Sequence, residues 1–159
     1  MTPNACQIYT YARKLRDAYG AAMEPLCREF SLSQPAAEIL LFLANNPGLD
    51  TAKDICTYLR LKPGLVSLHV EALVREGYLA RSTAPGDRRR CPLVCTEKAA
   101  PAIARGRALQ AGFSASLVRG LPPEALEGFL RCLSAMEENL NQLTAGGSRK
   151  KEGTPHESR

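Results

Sequence analysis

Residues 79–96 constrain the fold more than any other stretch of this 159-residue chain. Two short β-like runs flank a turn that contains Pro85 and Gly86, two residues that favour a tight connection between strands. One acidic and three basic residues follow the turn at once: Asp87, Arg88, Arg89 and Arg90. The segment therefore predicts a β-hairpin with a cationic tip, a shape suited to the negative potential of a nucleic-acid groove.

The segment before the hairpin predicts a helix-turn-helix. Ser33 followed by Pro35 favours the start of one helix, and Thr51 can cap a short helix that comes next. Another helix is predicted over about residues 63–76, and Gly77 supplies its C-terminal stop. A short helix, a brief turn and a second helix that leads directly into a hairpin are the order of a winged helix-turn-helix.

The helix over 63–76 predicts one apolar face and one free face. Val66, His69, Val70 and Leu73 lie on one side at helical spacing, so we expect that side to pack inward, with His69 as a packed helix residue. Ser67 lies off this face, which favours contact with DNA over mere exposure to solvent.

We call this winged helix-turn-helix the reader domain and its helix over about residues 63–76 the reader helix. Long amphipathic helices are predicted on both sides of the reader domain. One runs from Cys6 to about Phe30, with Pro25 expected to kink or break it. After the hairpin, Thr96 can cap a helix to about Gly120, and a last helix follows Pro122-Pro123. One copy of the chain could not bury the apolar stripes of all these helices, which favours an intertwined two-fold dimer.

The expected fold is mainly α with a small β-hairpin wing. It consists of a dimerisation helix at 5–30, the winged helix-turn-helix at 33–96, dimerisation helices at 97–143 and a disordered basic tail at 144–159.

Composition narrows the class of protein. The net charge of +5 and the pI near 9.0 favour an anionic partner. No run approaches the roughly 18 apolar residues of a membrane helix, and the N-terminus lacks an export signal. We therefore expect no membrane partner and a cytoplasmic, nucleoid-associated location.

Catalytic and metal chemistry are not expected. The six cysteines include no Cys-x-x-Cys pair, the chain has only two histidines, and no phosphate loop or nucleophile elbow occurs. The sequence therefore predicts reduced thiols, no metal, no cofactor and no enzyme. Cys91 and Cys95 are interpreted as small strand residues two pleats apart on one face.

From about residue 5 to 143 the sequence resembles the MarR family of winged-helix transcriptional regulators. The resemblance is carried by the order of a reader helix, a glycine, a strand, an Asp-x-Arg wing tip and a strand that ends in threonine. The matching segments are Leu32-Ser33-Gln34-Pro35, Val66 to Leu73, Gly77-Tyr78-Leu79, Asp87-Arg88-Arg89 and Cys95-Thr96.

The resemblance implies a role for each residue of the wing tip. Arg89 would enter the minor groove, and Asp87 would orient it or brace the turn through a charge-assisted bond. On a regular strand Arg88 and Arg90 point away from Arg89, so we expect them to meet phosphates.

The resemblance also implies DNA contacts from the reader helix, at Lys62, Gly64, Leu65, Ser67 and Leu68. Leu65 and Leu68 depart from the polar residues usual in the family. A leucine can touch a thymine methyl but cannot form a hydrogen bond with a base. We therefore expect the wing to carry a large share of recognition.

The function implied is that of a homodimeric regulator, acting as a repressor, that binds a pseudo-palindromic double-stranded DNA operator. A small aromatic or anionic effector would bind between the dimer helices and the reader domain and release the DNA.

Two alternatives remain open. Cys6, near Tyr9 and Tyr11, could serve as the sensor of a redox-controlled regulator, with Arg13 or Lys14 favouring its thiolate. The basic wing could instead contact an acidic protein, which would make the chain a winged-helix interaction module.

Overall fold

A computed structural model of the chain describes residues 4–82 and 91–148, with side chains described as far as residue 144. It divides into two compact units, Met1–Ser116 and Leu117–Arg159. The predicted class, mainly helical with a small β-hairpin, is confirmed. In chain order the described elements are α1 (Ala5–Phe30), α2 (Gln34–Asn45), α3 (Ala52–Leu59), α4 (Pro63–Arg75), β1 (Leu79–Arg81), β2 (Leu93–Cys95), a 3-10 turn (Glu97–Ala99), α5 (Ala100–Leu117) and α6 (Pro123–Ser148).

The helices of the reader domain begin where the capping residues predict. The Ser33 hydroxyl accepts a hydrogen bond from the Ala36 amide at 3.3 Å. Thr51 and Asp54 form a reciprocal capping box: the Asp54 amide donates to Thr51 Oγ1 at 3.2 Å, and the Thr51 amide donates to Asp54 Oδ2 at 3.0 Å. These bonds satisfy amides that have no acceptor within the helix itself.

The hydrophobic core of the first unit is centred on α2. The predicted inward face of α4 is confirmed, because Val66, Val70 and Leu73 are buried. Burial of each such side chain stabilises the fold by roughly 1.5–3 kcal/mol. Side chains from every element of this unit complete the core: Met23, Leu26, Leu32, Ala36, Ala37, Ile39, Leu40, Leu41, Phe42, Ile55, Tyr78, Leu79, Leu93, Ala99 and Ala102.

Of the kink or break predicted at Pro25, the break is wrong, since α1 continues through this residue to Phe30. Proline removes one helical hydrogen bond, the one its nitrogen would donate to the carbonyl of Ala21. Ala21 is exposed, so water can satisfy that carbonyl. Met23 and Leu26, on either side of Pro25, are buried and hold both parts of the helix on the core.

The C-terminal helices differ from the sequence prediction at their ends. The Thr96 side chain makes no capping bond, a 3-10 turn follows it, and α5 begins only at Ala100. The helix ends at Leu117, short of Gly120. In the second unit α6 extends to Ser148, so the prediction of disorder from residue 144 is wrong for its first five residues. Each further residue of a helix adds a backbone hydrogen bond, which favours extension once the helix exists. Residues 149–159 lie outside the described part.

Close packing of α5 on α2 depends on Gly106. A Cβ atom at this position would lie 2.5 Å from Cδ2 and 2.8 Å from Cδ1 of Leu41, which is itself buried. Gly112, on the same helix, faces open space. Substitution of the two glycines by alanine is therefore expected to change the stability of the fold in opposite directions.

Replacing Gly106 with alanine should destabilise the fold by about 1–2 kcal/mol, because overpacking in a core exceeds the gain in helix propensity. Gly112→Ala should stabilise it by up to about 1 kcal/mol, since only the propensity changes. Urea unfolding followed by circular dichroism measures both. Equal shifts of the two midpoints would contradict this packing.

Candidate nucleic-acid interface

The first two turns of α4 present a free surface to solvent. The five residues assigned to DNA contact, Lys62, Gly64, Leu65, Ser67 and Leu68, are all exposed. Leu68 is 63% exposed and Leu65 is 37% exposed, although the intervening Val66 is fully buried. The structure thus brings together on one surface the reader-helix residues that the sequence singled out.

His69 connects this helix to the beginning of α2. It is half-buried, and its Nδ1 lies 3.3 Å from the hydroxyl oxygen of Ser33, the N-cap of α2. The position agrees with the expectation of a packed residue. Together with Val66, Val70 and Leu73, the contact holds the exposed surface of α4 in a fixed orientation on the core.

The base of the hairpin is closed by regular pairing. Leu79 pairs with Cys95 and Arg81 with Leu93, and the Ser82 amide donates to the Pro92 carbonyl at 2.8 Å. The predicted tip residues Asp87, Arg88, Arg89 and Arg90 lie outside the described residues.

Two interpretations of residues near the hairpin need correction. Cys91 precedes β2, which begins at Leu93, so it does not share a strand face with Cys95. Proline at position 92 has no amide to donate to a strand ladder, which accounts for the shorter strand. Thr96, expected to cap a helix, instead donates from its hydroxyl to the Gly77 carbonyl at 2.6 Å and thereby joins the two ends of the hairpin.

The basic side chains near the interface differ in their exposure and in the contacts they make within the protein. Lys98 is engaged at the hairpin base, where its Nζ donates to the Glu76 carbonyl at 2.6 Å and lies 5.0 Å from the ring centroid of Tyr78. Arg60 and Arg81 are exposed, at the end of α3 and of β1. Sequence reasoning did not single out either arginine, although the position of Arg60 two residues before Lys62 was a usable signal. Both are candidate phosphate contacts.

All six cysteines lie in the described part of the chain and are free thiols. Burial raises the pKa of Cys27, and the negative charge of Glu38 raises it further. Burial also raises the pKa of Cys95, against a smaller opposite effect from Arg107. Both thiols are therefore disfavoured as thiolates. Cys6, in the first turn of α1, is exposed.

A cleft of about 380 Å³ lies within the first unit, between α1, α2, α3 and α5. Glu38, Leu41, Phe42 and Asn45 recur at helical spacing and supply one face of α2 to its wall. The remaining lining residues are Tyr19, Asn46, Leu59 and Gln110.

Hydrogen bonds join Asn45, Gln110 and Tyr19 of the cleft wall, and Arg107 extends this chain from outside the cleft. Arg107 Nε donates to Asn45 Oδ1 at 2.8 Å, Asn45 Nδ2 donates to Gln110 Oε1 at 3.1 Å, and Gln110 Nε2 donates to the Tyr19 hydroxyl at 2.8 Å. Sequence reasoning placed an effector near here but named none of these residues. Their partners are too distant along the chain to be read as a motif.

Apolar side chains remain exposed on both units. On the N-terminal half of α1 they include Ile8, Tyr11 and Leu15, and Tyr11 is 70% exposed. No helix in the described residues is long and apolar enough to cross a membrane. The second unit also exposes apolar side chains, which lie on α6: Phe129, Leu130, Leu133, Met136, Leu140 and Leu143.

The fold and a family model agree on the relationship of this chain to known proteins. Residues 30–90, which contain α2, α3, α4 and β1, match the model of the MarR family. A MarR-family protein from Listeria monocytogenes, solved in complex with 26-mer DNA, superposes with a TM-score of 0.77 at 15% identity, covering 98% of this chain and 100% of that chain.

Two further structures show the same fold. A MarR transcriptional regulator from Methanosarcina mazei superposes with a TM-score of 0.75 at 17% identity, covering 89% of this chain and 94% of that chain. A MarR-family protein from Mycobacterium tuberculosis in complex with salicylic acid gives 0.64 at 21% identity, covering 86% of this chain and 97% of that chain. Residues 30–90 therefore match the MarR family of transcriptional regulators, and the chain has the winged helix-turn-helix fold of solved proteins of that family.

Proposed function

We propose that this protein is a homodimeric, sequence-specific DNA-binding repressor that recognises a pseudo-palindromic operator and is released by a small-molecule effector. The observation that carries the proposal is the exposed surface of α4, held on a buried face of the same helix directly before a hairpin. A helix fixed in this way can enter a major groove without rearrangement of the core.

In this arrangement Leu65, Ser67 and Leu68 meet base edges, and Gly64 permits close approach of the backbone. Lys62, with Arg60 and Arg81, meets phosphates, which position the protein without reading sequence. Arg89 enters the minor groove, braced by Asp87, while Arg88 and Arg90 contact phosphates.

Dimerisation through 5–30 and 97–143 is supported by the exposed apolar side chains of α1 and of α6. Such side chains scattered singly are ordinary on a protein surface, but a row along one helix marks an interaction surface. A closed two-fold dimer buries the same row on both copies and presents two reader helices to two half-sites.

Effector binding is supported by the cleft between α1, α2, α3 and α5. Its volume of about 380 Å³ lies within the range that small ligands occupy in proteins. The salicylic acid complex of the Mycobacterium tuberculosis relative shows that a protein of this fold can hold a small aromatic molecule. The redox alternative stays a prediction, because the exposure of Cys6 does not by itself make its thiol reactive.

Arg89→Ala should weaken binding to an operator selected from random DNA by roughly 1–3 kcal/mol, because a groove contact is lost. Arg88→Ala and Arg90→Ala, the matched controls, should mainly reduce the salt dependence of binding by about one charge each. Fluorescence anisotropy over a salt series measures both effects. Equal, negligible effects of all three changes would refute the wing assignment, and failure to select any DNA would favour a protein-interaction module.

Replacing thymines of the selected site by uracil, one at a time, should cost the wild type about 0.8 kcal/mol at the position whose methyl group packs on Leu68. In Leu68→Ala this cost should nearly disappear, because the partner of the methyl is gone. Ser67→Ala is the control and should retain the penalty. A penalty that is unchanged in Leu68→Ala at every thymine would contradict methyl recognition by this residue.

Leu133→Asp should weaken dimerisation by at least about tenfold, because an unpaired carboxylate would be buried in the interface. Ser134→Asp adds the same charge at the next position, outside the apolar row, and should have a smaller effect. Sedimentation equilibrium measures both dissociation constants. A monomeric wild-type chain would contradict the proposed dimer.

A further inference from the structure

We infer that the cleft between α1, α2, α3 and α5 selects small aromatic cations, with Glu38 as the residue that recognises the positive charge. The regulatory consequence rests on the proposed function, in which this cleft holds the effector. The resemblance to the family implied a ligand that is aromatic or anionic. The residues of the cleft favour an aromatic ligand but disfavour a negative charge.

Among the described residues, the one carboxylate that lines the cleft belongs to Glu38, which is half-buried on α2. Gln34 Nε2 donates to its Oε1 at 2.9 Å. The Gln34 side chain lies close over Gly20 of α1, where a Cβ atom would come within 3.1 Å of that nitrogen. A side chain held at this position presents its charge to the cleft in a defined place.

No lysine or arginine within the described residues forms an ion pair with Glu38. Its charge is felt by its neighbours, since after burial it is the next cause of the raised pKa of Cys27. A ligand cation would therefore be the counter-ion that the cleft itself does not contain.

Each amide group of the cleft already donates one hydrogen bond within the protein. Asn45 Nδ2 donates to Gln110, Gln110 Nε2 donates to Tyr19, and Asn46 Nδ2 donates to the Phe42 carbonyl at 2.8 Å. The guanidinium of Arg107 is turned to Asn45 and to the Ala44 carbonyl and does not line the cleft. An anion would meet the charge of Glu38 without a lining cation to offset it, and such a repulsion selects against it.

The aromatic part of the inference rests on the rings that line the same space. Tyr19 packs edge-on against Phe113, with centroids 5.4 Å apart, and Phe42 lies 5.8 Å from Tyr58. Packed rings keep their orientation and offer a face to an apolar ligand. The face of an aromatic ring also attracts a cation, so the rings and Glu38 favour the same ligand.

Benzamidine, benzamide and benzoate test the inference, because they share one shape and carry a positive, a neutral and a negative group. Isothermal titration of the full-length wild type should give the tightest binding for benzamidine and the weakest for benzoate. In Glu38→Gln the affinity for benzamidine should fall on the order of tenfold, since a charged hydrogen bond is lost, while benzamide should change little. Glutamine retains an oxygen that can accept the bond from Gln34, so the variant should fold.

Glu24→Gln is the matched control, because it removes an exposed α1 carboxylate outside the cleft and should leave all three affinities unchanged. Tighter binding of benzoate, equal binding of the three compounds, or no binding of any would overturn the inference, whatever the variants do. Operator binding is measured separately without ligand. Intact operator binding beside a preference for benzoate would refute only the inference, whereas charge-selective binding of benzamidine without any DNA binding would refute the proposed regulator.

Discussion

Helix α2 lies at the centre of the core, and the reader helix, the hairpin and the cleft all pack against it. Six of its twelve residues are buried, and they contact α1, α3, α4 and β2. Its N-cap, Ser33, holds His69 of the reader helix, and its last residue, Asn45, belongs to the polar wall of the cleft. In the proposed function, a ligand in the cleft and DNA on α4 would therefore both act on helix α2. Such a ligand can change DNA affinity only by as much as it prefers one position of this element over another.

Local rules predicted most of the reader domain. Ser33, Thr51 and Gly77 mark helix ends through caps and a positive φ, and each of these signals depends only on nearby backbone. The inward face of α4 followed from spacing alone. Predictions failed where a distant partner decides the outcome. The hydroxyl of Thr96 bonds to Gly77, nineteen residues away, and α1 tolerates Pro25 because the core holds the residues beside it.

The cleft shows the same limit more strongly. Tyr19 and Gln110 are 91 residues apart, and Asn45 and Gln110 are 65 apart, so no spacing in the sequence links them. Each residue alone reads as an ordinary polar position on an amphipathic helix. The residues of α4 that are proposed to contact DNA could be predicted from the sequence because they lie within two turns of one helix. The hydrogen-bonded residues of the cleft come together only when four helices pack, so they could not be predicted from the sequence.

The exposed surface of α4 and the cleft both combine apolar area with a few charged groups. On α4, Leu65 and Leu68 expose apolar surface, so in the proposed function discrimination between bases would come from methyl contacts and from the wing. In the proposed ligand site, the apolar rings would provide area and the Glu38 carboxylate would select the sign of the ligand charge. Apolar contact contributes affinity without strict direction, and one misplaced charge costs more than one lost apolar contact. Each proposed site would therefore bind through an apolar surface and select through a few charged groups, the arginines of the wing for DNA and Glu38 for the ligand.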